Sequence, residues 1–139
     1  MRGAQEEREL MRMLMGEGFA VVRTPASGSK ARYPLPDLVA GNSSRGLHYA
    51  FQVKTTKRRK IYVSKESINQ LVEFSRKFGC RPVLALKFKG TRRPWVFLRP
   101  DQLKAAPSRS YRVALKEASR IGVDLKTLIG RSKQGRLTD

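Results

Sequence analysis

Two neighbouring polar-in-apolar stretches between Pro36 and Lys54 constrain this chain more than any other feature. Pro36-Asp37-Leu38-Val39 reads as one strand and Tyr49-Ala50-Phe51-Gln52-Val53-Lys54 as the next. Alternate side chains of a strand share a face, so Gln52 and Lys54 point one way while Phe51 and Val53 point the other. If the strands pair, Asp37 joins the polar face. An acid at one strand start, with an acid or its isostere and a lysine two residues apart on the neighbour, suits metal-dependent phosphodiester hydrolysis. Carboxylates hold Mg²⁺, and a lysine polarises water or steadies the phosphate.

The pattern P-D-x14-(D/E)-x-K is similar to that of nucleases of the restriction endonuclease superfamily, with Gln52 standing where they carry an acid. Taken alone, Asp37 and Lys54 are better read as a solvated strand edge, because acid-x-Lys pairs are common on surface strands. The remainder of the chain decides between the readings.

Net charge points to a polyanionic partner. Thirty Lys and Arg face eleven Asp and Glu, a formal charge of +19 on 139 residues. Self-repulsion of that size is expected where the partner is nucleic acid. An anionic membrane is the rival, but no apolar run approaches the roughly 20 residues of a spanning helix and no signal peptide opens the chain. The expectation is a soluble, intracellular, cytoplasmic protein acting at the nucleoid, with no membrane partner and no small-molecule cofactor. The length predicts a single domain over residues 1–139, with 131–139 as a flexible tail. Cys80 is the lone cysteine, which excludes an internal disulfide and a cysteine metal cluster. His48 is likewise alone and is read as structural or exposed.

Along the chain, Glu6 to Glu17 reads as a helix ended by Gly18, with Leu10, Met11 and Leu14 on its apolar stripe. Glu7 falls on the same stripe. Either it only complements the helix dipole or it faces something buried. Phe19 to Arg23 follows as a strand. Pro25 to Lys30 is a loop whose serines and glycines, with Lys30 and Arg32, suit closure over a phosphate backbone or an ordinary mobile surface loop. After Lys54 come the bases Lys57, Arg58, Arg59 and Lys60 and a short strand, Ile61-Tyr62-Val63. A charge run is usually a solvated face, but this one adjoins the suspected phosphate site, which favours DNA contact.

Ser64 is placed to cap a second helix reaching Phe78, with Ile68, Leu71, Val72, Ser75 and Phe78 read as its buried stripe and Gly79 and Pro82 as its end. Val83 to Phe88 predicts a central strand covered on both faces, with Lys87 as the exception, and Trp95 to Leu98 its neighbour. The pattern then weakens. Asp101 to Lys104 predicts one helical turn, Tyr111 to Ala114 a short edge strand, and Asp124 to Ile129 a short helix closed by Gly130.

With these pieces placed, the chain resembles the archaeal-type Holliday junction resolvases, a branch of the restriction endonuclease-like superfamily, over nearly its whole length. The resemblance rests on Gly3 to Leu10, on Gly18 to Arg23 with Pro25 to Ser29, and on Pro36 to Ala40. It continues through Val53-Lys54, Ile61 to Val63, Leu71 to Gly79 and Pro82 to Phe88, and thins from about Gln102. It implies an α/β, restriction endonuclease-like fold with a central mixed β-sheet flanked by helices. It further implies a homodimer that resolves four-way junction DNA by paired hydrolytic cuts with Mg²⁺, or Mn²⁺, as cofactor.

Carried over by position, the resemblance makes Glu7, Asp37 and Gln52 the metal site, Lys54 the catalytic lysine and Ser27 a serine of a mobile loop required for cutting. Arg8, Arg23 and Lys87 match basic residues that meet the DNA backbone, and Phe74 and Phe78 match dimer-forming aromatics. The family carries Glu where this chain has Gln52. Loss of that charge, natural or introduced, implies a protein that binds junctions without cutting them. Two rival readings are another restriction-type DNA nuclease and a basic nucleic-acid-binding protein without activity.

Overall fold

The computed structural model describes residues 3–25, 35–104 and 108–130. Helix α1 (Ala4–Gly16) leads into strand β1 (Ala20–Arg23). β2 (Leu38–Asn42) and β3 (Leu47–Thr56) follow, then β4 (Lys60–Ser64) and helix α2 (Lys65–Phe78). β5 (Arg81–Phe88), β6 (Trp95–Leu98), a 3₁₀ turn (Pro100–Gln102), β7 (Ser110–Ala114) and helix α3 (Leu115–Ile121) complete the order, and residues 125–130 are helical again.

Five strands form a central sheet in the order β1-β2-β3-β5-β6. Its one parallel pair is β3 with β5, and the neighbours on either side are antiparallel, so the sheet is mixed. A parallel pair needs a crossover connection. Here β4 and α2 supply it. β4 leaves the main sheet and pairs with β7 as a separate two-stranded ribbon.

Strand alternation sorts the core into two layers. Leu38, Ala40, Tyr49, Phe51, Val53, Val83, Ala85 and Phe97 pack against Leu10 and Leu14 of α1 and against Leu125 and Ile129. Ala50, Leu84, Leu86, Phe88, Val96 and Leu98 pack on the opposite face against Ile68 and Leu71 of α2, Ala118 of α3, and Ile61, Val63 and Val113 of the ribbon. β5 is thus covered on both sides, as its unbroken apolar run predicts.

Local chemistry sets the ends of α2. Ser64 has extended backbone and its Oγ accepts the Ser67 N–H at 3.0 Å. Gly79 closes the helix at φ 91°, a left-handed conformation that glycine adopts without steric cost. At the end of α3 the requirement is space. A Cβ on Gly122 would lie 2.3 Å from Val96 Cγ1, so only glycine lets this turn meet β6.

The structure corrects several expectations. The acid buried in α1 is Glu6, in one four-residue row with Leu10 and Leu14, while Glu7 lies one position round and is half-buried. On α2 the buried stripe is Ile68, Leu71 and Ser75; Val72 and Phe78 are exposed, Phe78 by 64%. α3 is absent from the sequence reading because its single apolar contact row is too short to show a period. The short edge strand expected at Tyr111 to Ala114 is observed, with β4 of the ribbon as its partner.

Candidate nuclease site

Asp37 sits one residue before β2, where the chain enters the sheet between its neighbours. Its N–H donates to the Phe51 carbonyl at 2.9 Å, and its own carbonyl accepts from Thr24 N–H at 3.0 Å. The Thr24 hydroxyl is bound to the Pro36 carbonyl, so both flanks of this entry are tied to the end of β1. These contacts fix the direction of the Asp37 carboxylate. Its Oδ2 accepts the Val53 N–H at 2.7 Å and the Gln52 side-chain amide, through Nε2, at 3.1 Å. The expected union of Asp37 with the polar face of β3 is therefore observed.

Burial of Asp37 pushes its carboxyl up to about 6, helped by the nearby negative charge of Glu7. The Val53 hydrogen bond and the charges of Lys54 and Arg23 pull the other way and do not cancel it. All four groups thus act on one carboxylate. Glu7 reaches the site from α1 and is held by Arg23 of β1, whose Nε lies 2.9 Å from its Oε1. Glu7, Arg23, Asp37, Gln52 and Lys54, drawn from α1, β1, the β2 entry and β3, form one constellation.

A hard divalent cation in a phosphate site needs only one or two protein carboxylates, since water and substrate oxygens complete its shell. Asp37 and Glu7 meet that need. A desolvated carboxylate raised by a second one is the electrostatic condition a cation relieves. Gln52 is the poorer member: it turns a donor N–H toward Asp37, and only its carbonyl oxygen could serve as ligand. Among the described residues no cluster of three acids, histidines or cysteines forms.

A basic wall adjoins these residues. Lys54, Thr55, Thr56, Arg58, Arg59, Lys60, Ile61 and Tyr62 line a concavity of about 520 Å³ where β3 turns into β4. Lys57, Arg58, Arg59 and Lys60 are all exposed there. Arg8 is exposed on α1. Lys87 instead faces α1, its Nζ 2.5 Å from Glu9 Oε1 and 5.7 Å from the Trp95 ring centre. Ser27, Lys30 and Arg32 lie outside the described residues. On α2, Phe74 and Phe78 stack on each other, ring centres 5.1 Å apart and planes 16° from parallel.

The sequence reading missed two acids. Glu6 pairs with Lys89 at 3.0 Å and Glu9 with Lys87, so three acids of α1 are clamped to bases on β1, on β5 and just beyond β5. The acids themselves were visible on one helix, but the partners of Glu6 and Glu9 lie some 80 positions away and left no local signal. The described helices include none long and apolar enough to cross a membrane.

Comparison with known proteins identifies the family and the fold. The family model described as archaeal Holliday junction resolvase (Hjc) matches residues 1–137. The crossover junction endodeoxyribonuclease Hjc of Methanocaldococcus jannaschii is 38% identical over 138 residues, covering 99% of this chain and 94% of that protein. The enzyme of the same name from Archaeoglobus fulgidus is 33% identical over 135 residues, covering 97% and 94%. The solved structure of A. fulgidus Hjc, a Holliday junction resolvase, superposes with a TM-score of 0.79 at 29% identity, covering 94% of this chain and 97% of that one. An α/β fold with a mixed sheet flanked by helices, an acid-and-lysine cluster at the β2–β3 entry and a match running through residue 137 lead to one assignment: the chain belongs to the archaeal Holliday junction resolvase family.

Proposed function

We propose that this chain is a single-domain, structure-selective DNA-binding protein that engages four-way junctions as a homodimer, on a nuclease site weakened by Gln52. The observation that carries the reading is the convergence of Glu7, Arg23, Lys54 and the Gln52 amide on the Asp37 carboxylate beside an exposed basic wall. Arg8, Arg23, Lys57, Arg58, Arg59 and Lys60 meet the phosphodiester backbone, and Lys87 joins them only where phosphate displaces Glu9. Lys30 and Arg32 are assigned to backbone contact from the composition of their segment, and Ser27 to cutting from the family resemblance. Two active centres suit a junction because its two related strands are cut as a pair, and a two-fold dimer sets one centre at each.

Asp37 and Glu7, with the Gln52 carbonyl, would hold Mg²⁺ or Mn²⁺. When bound, such a cation supplies Lewis-acid polarisation of the scissile phosphate and charge compensation for the leaving 3′ oxygen. Lys54 steadies the non-bridging phosphate oxygens or polarises the attacking water. Ionised Asp37 orients that water for in-line attack, and Arg23 keeps Glu7 from swinging away from it. With glutamine at position 52, one formal charge is missing from the cluster, and cation affinity and water activation fall together. The chain as it stands therefore binds junctions without cutting them.

Gel-shift titration of a synthetic four-way junction against a duplex of the same arm sequence tests this reading. Junction binding is expected to survive an excess of unlabelled duplex. If duplex competes as well as unlabelled junction does, the protein is a general duplex binder and the resolvase reading is wrong.

A further inference from the structure

The β4–β7 ribbon carries an exposed aromatic that neither the core nor the acid cluster uses. Tyr62 is 61% exposed on β4, directly opposite Arg112 of β7 in the antiparallel register. Ile61 and Val113, one step along, face the core together, so Tyr62 and Arg112 necessarily share the outer face. Lys60, two residues before Tyr62, shares that face and is exposed. Tyr62 and Lys54 both line the concavity where β3 turns into β4, so the ribbon tyrosine and the nuclease-site lysine border one depression.

A single exposed tyrosine is ordinary. What sets this one apart is its surroundings. Among the described residues none of Arg58, Arg59, Lys60 and Arg112 is in a salt bridge, and no aromatic ring packs on Tyr62. Cations left without carboxylates on both sides of an unstacked ring match the alternation of phosphate and base along a nucleic acid strand. Aromatic side chains bind bases through their π-faces without regard to sequence. An intact duplex keeps those faces covered. At a four-way branch point the bases bordering the centre can unstack, and within the paired DNA a free face is offered there beside closely spaced phosphates.

Resting on the junction-binding reading above, we propose that Tyr62 stacks on an unstacked base at the branch point, with Lys60 and Arg112 gripping the flanking phosphates. The ribbon then contributes shape selectivity, while the basic loop contributes general affinity. Its position beside Lys54 registers the branch point against the nuclease site.

The test uses the full chain with a four-way junction carrying 2-aminopurine at the branch-point positions, and a duplex of the same arms as control. Tyr62→Ala is expected to weaken junction binding about ten-fold while leaving duplex binding and the salt dependence unchanged. Tyr62→Phe is expected to keep the parent affinity, and its complex is expected to show quenched 2-aminopurine emission that brightens in the Tyr62→Ala complex. Arg112→Ala is expected to weaken junction binding more than duplex binding and to lower the slope of log junction affinity against log salt by about one, and an equal loss on both DNAs would overturn its place at the branch point. Parent-like junction affinity of Tyr62→Ala overturns the proposal, as does equal loss in Tyr62→Phe. So does a Tyr62→Ala protein that sediments as a monomer when the parent is a dimer, because the ring would then belong to a subunit contact. A parent protein with no preference for junction over duplex overturns the resolvase reading itself, and the stacking role with it.

Discussion

The side-chain amide of Gln52 donates to Oδ2 of Asp37 at 3.1 Å, so the residue that lowers the charge of the cluster also helps hold its central acid. A glutamate at position 52 has no proton to give to an ionised Asp37. It would instead place a third negative charge beside Asp37 and Glu7, and in the absence of a cation the three would repel.

Gln52→Glu is therefore expected to destabilise the metal-free protein by about 1–2 kcal/mol, seen as a melting point several degrees lower. Added Mg²⁺ is expected to restore it, because a cation bound only by the folded state stabilises by mass action. The same variant is expected to give paired, symmetric cuts in a junction, and those cuts are expected to disappear again in Gln52→Glu combined with Lys54→Ala. A Gln52→Glu protein that binds junction as a dimer yet stays uncut in Mg²⁺ would defeat this account of position 52, and so would brisk cleavage by the unsubstituted chain.

Asp37 carries a pH signature. Its carboxyl titrates at about 6 in the fold against 3.8 ordinarily, so between those values the folded state holds a proton that the unfolded chain has released. Stability contributed by this group is present below pH 3.8 and is lost as the pH rises to 6, a difference of at most about 3 kcal/mol. Asp37→Asn removes the titration and can still accept the Val53 N–H. It is expected to be more stable than the parent by about 1–3 kcal/mol in urea denaturation at pH 7.5, with the advantage shrinking toward zero at pH 4. An equal advantage at both values would show that ionisation of Asp37 is not its source.

How much of this was legible in the sequence depends on whether the signal was local. The polar face of Gln52 and Lys54, the Ser64 cap, the Gly79 stop and the buried β5 all follow from neighbouring residues, and all are observed. Glu7 was singled out for lying on an apolar stripe, whereas the buried acid is Glu6 and Glu7 turns toward Arg23. A helical wheel resolves a face but not a one-residue rotation of it. The partnership of β4 with β7, and hence the outer face shared by Tyr62 and Arg112, is a pairing across about fifty residues that no local pattern encodes.

The Glu7–Arg23 pair is only partly exposed on either side, which raises the cost of breaking it. Arg23→Gln leaves the Glu7 carboxylate without its cation and unshields its repulsion on Asp37, for an expected loss of about 1–3 kcal/mol. The double change Arg23→Gln with Glu7→Gln is expected to recover much of that loss, since no lone charge remains. A double-mutant cycle by chemical denaturation measures the coupling. Losses that simply add would show that the two side chains do not depend on each other.

The last expectation concerns assembly and follows from an exposed ring. Phe78 is 64% exposed at the end of α2 and stacks on the half-buried Phe74, forming a small apolar platform among charged neighbours: Glu73 pairs with both Arg76 and Lys77 beside it. In a chain of net charge +19, association must overcome like-charge repulsion, so it needs concentrated apolar contacts of this kind. Phe74→Ala with Phe78→Ala is expected to convert a dimer to a monomer in sedimentation equilibrium at micromolar concentration. Because Phe74 also packs against the core formed with Ile68 and Leu71, Phe78→Asp alone serves as the control that leaves the core intact, and it is expected to give the same monomer. Paired cutting after Gln52→Glu should then fall to single, uncoupled nicks. An unsubstituted protein that is already monomeric at that concentration, or a Phe78→Asp variant that remains a dimer, would place the subunit contact elsewhere.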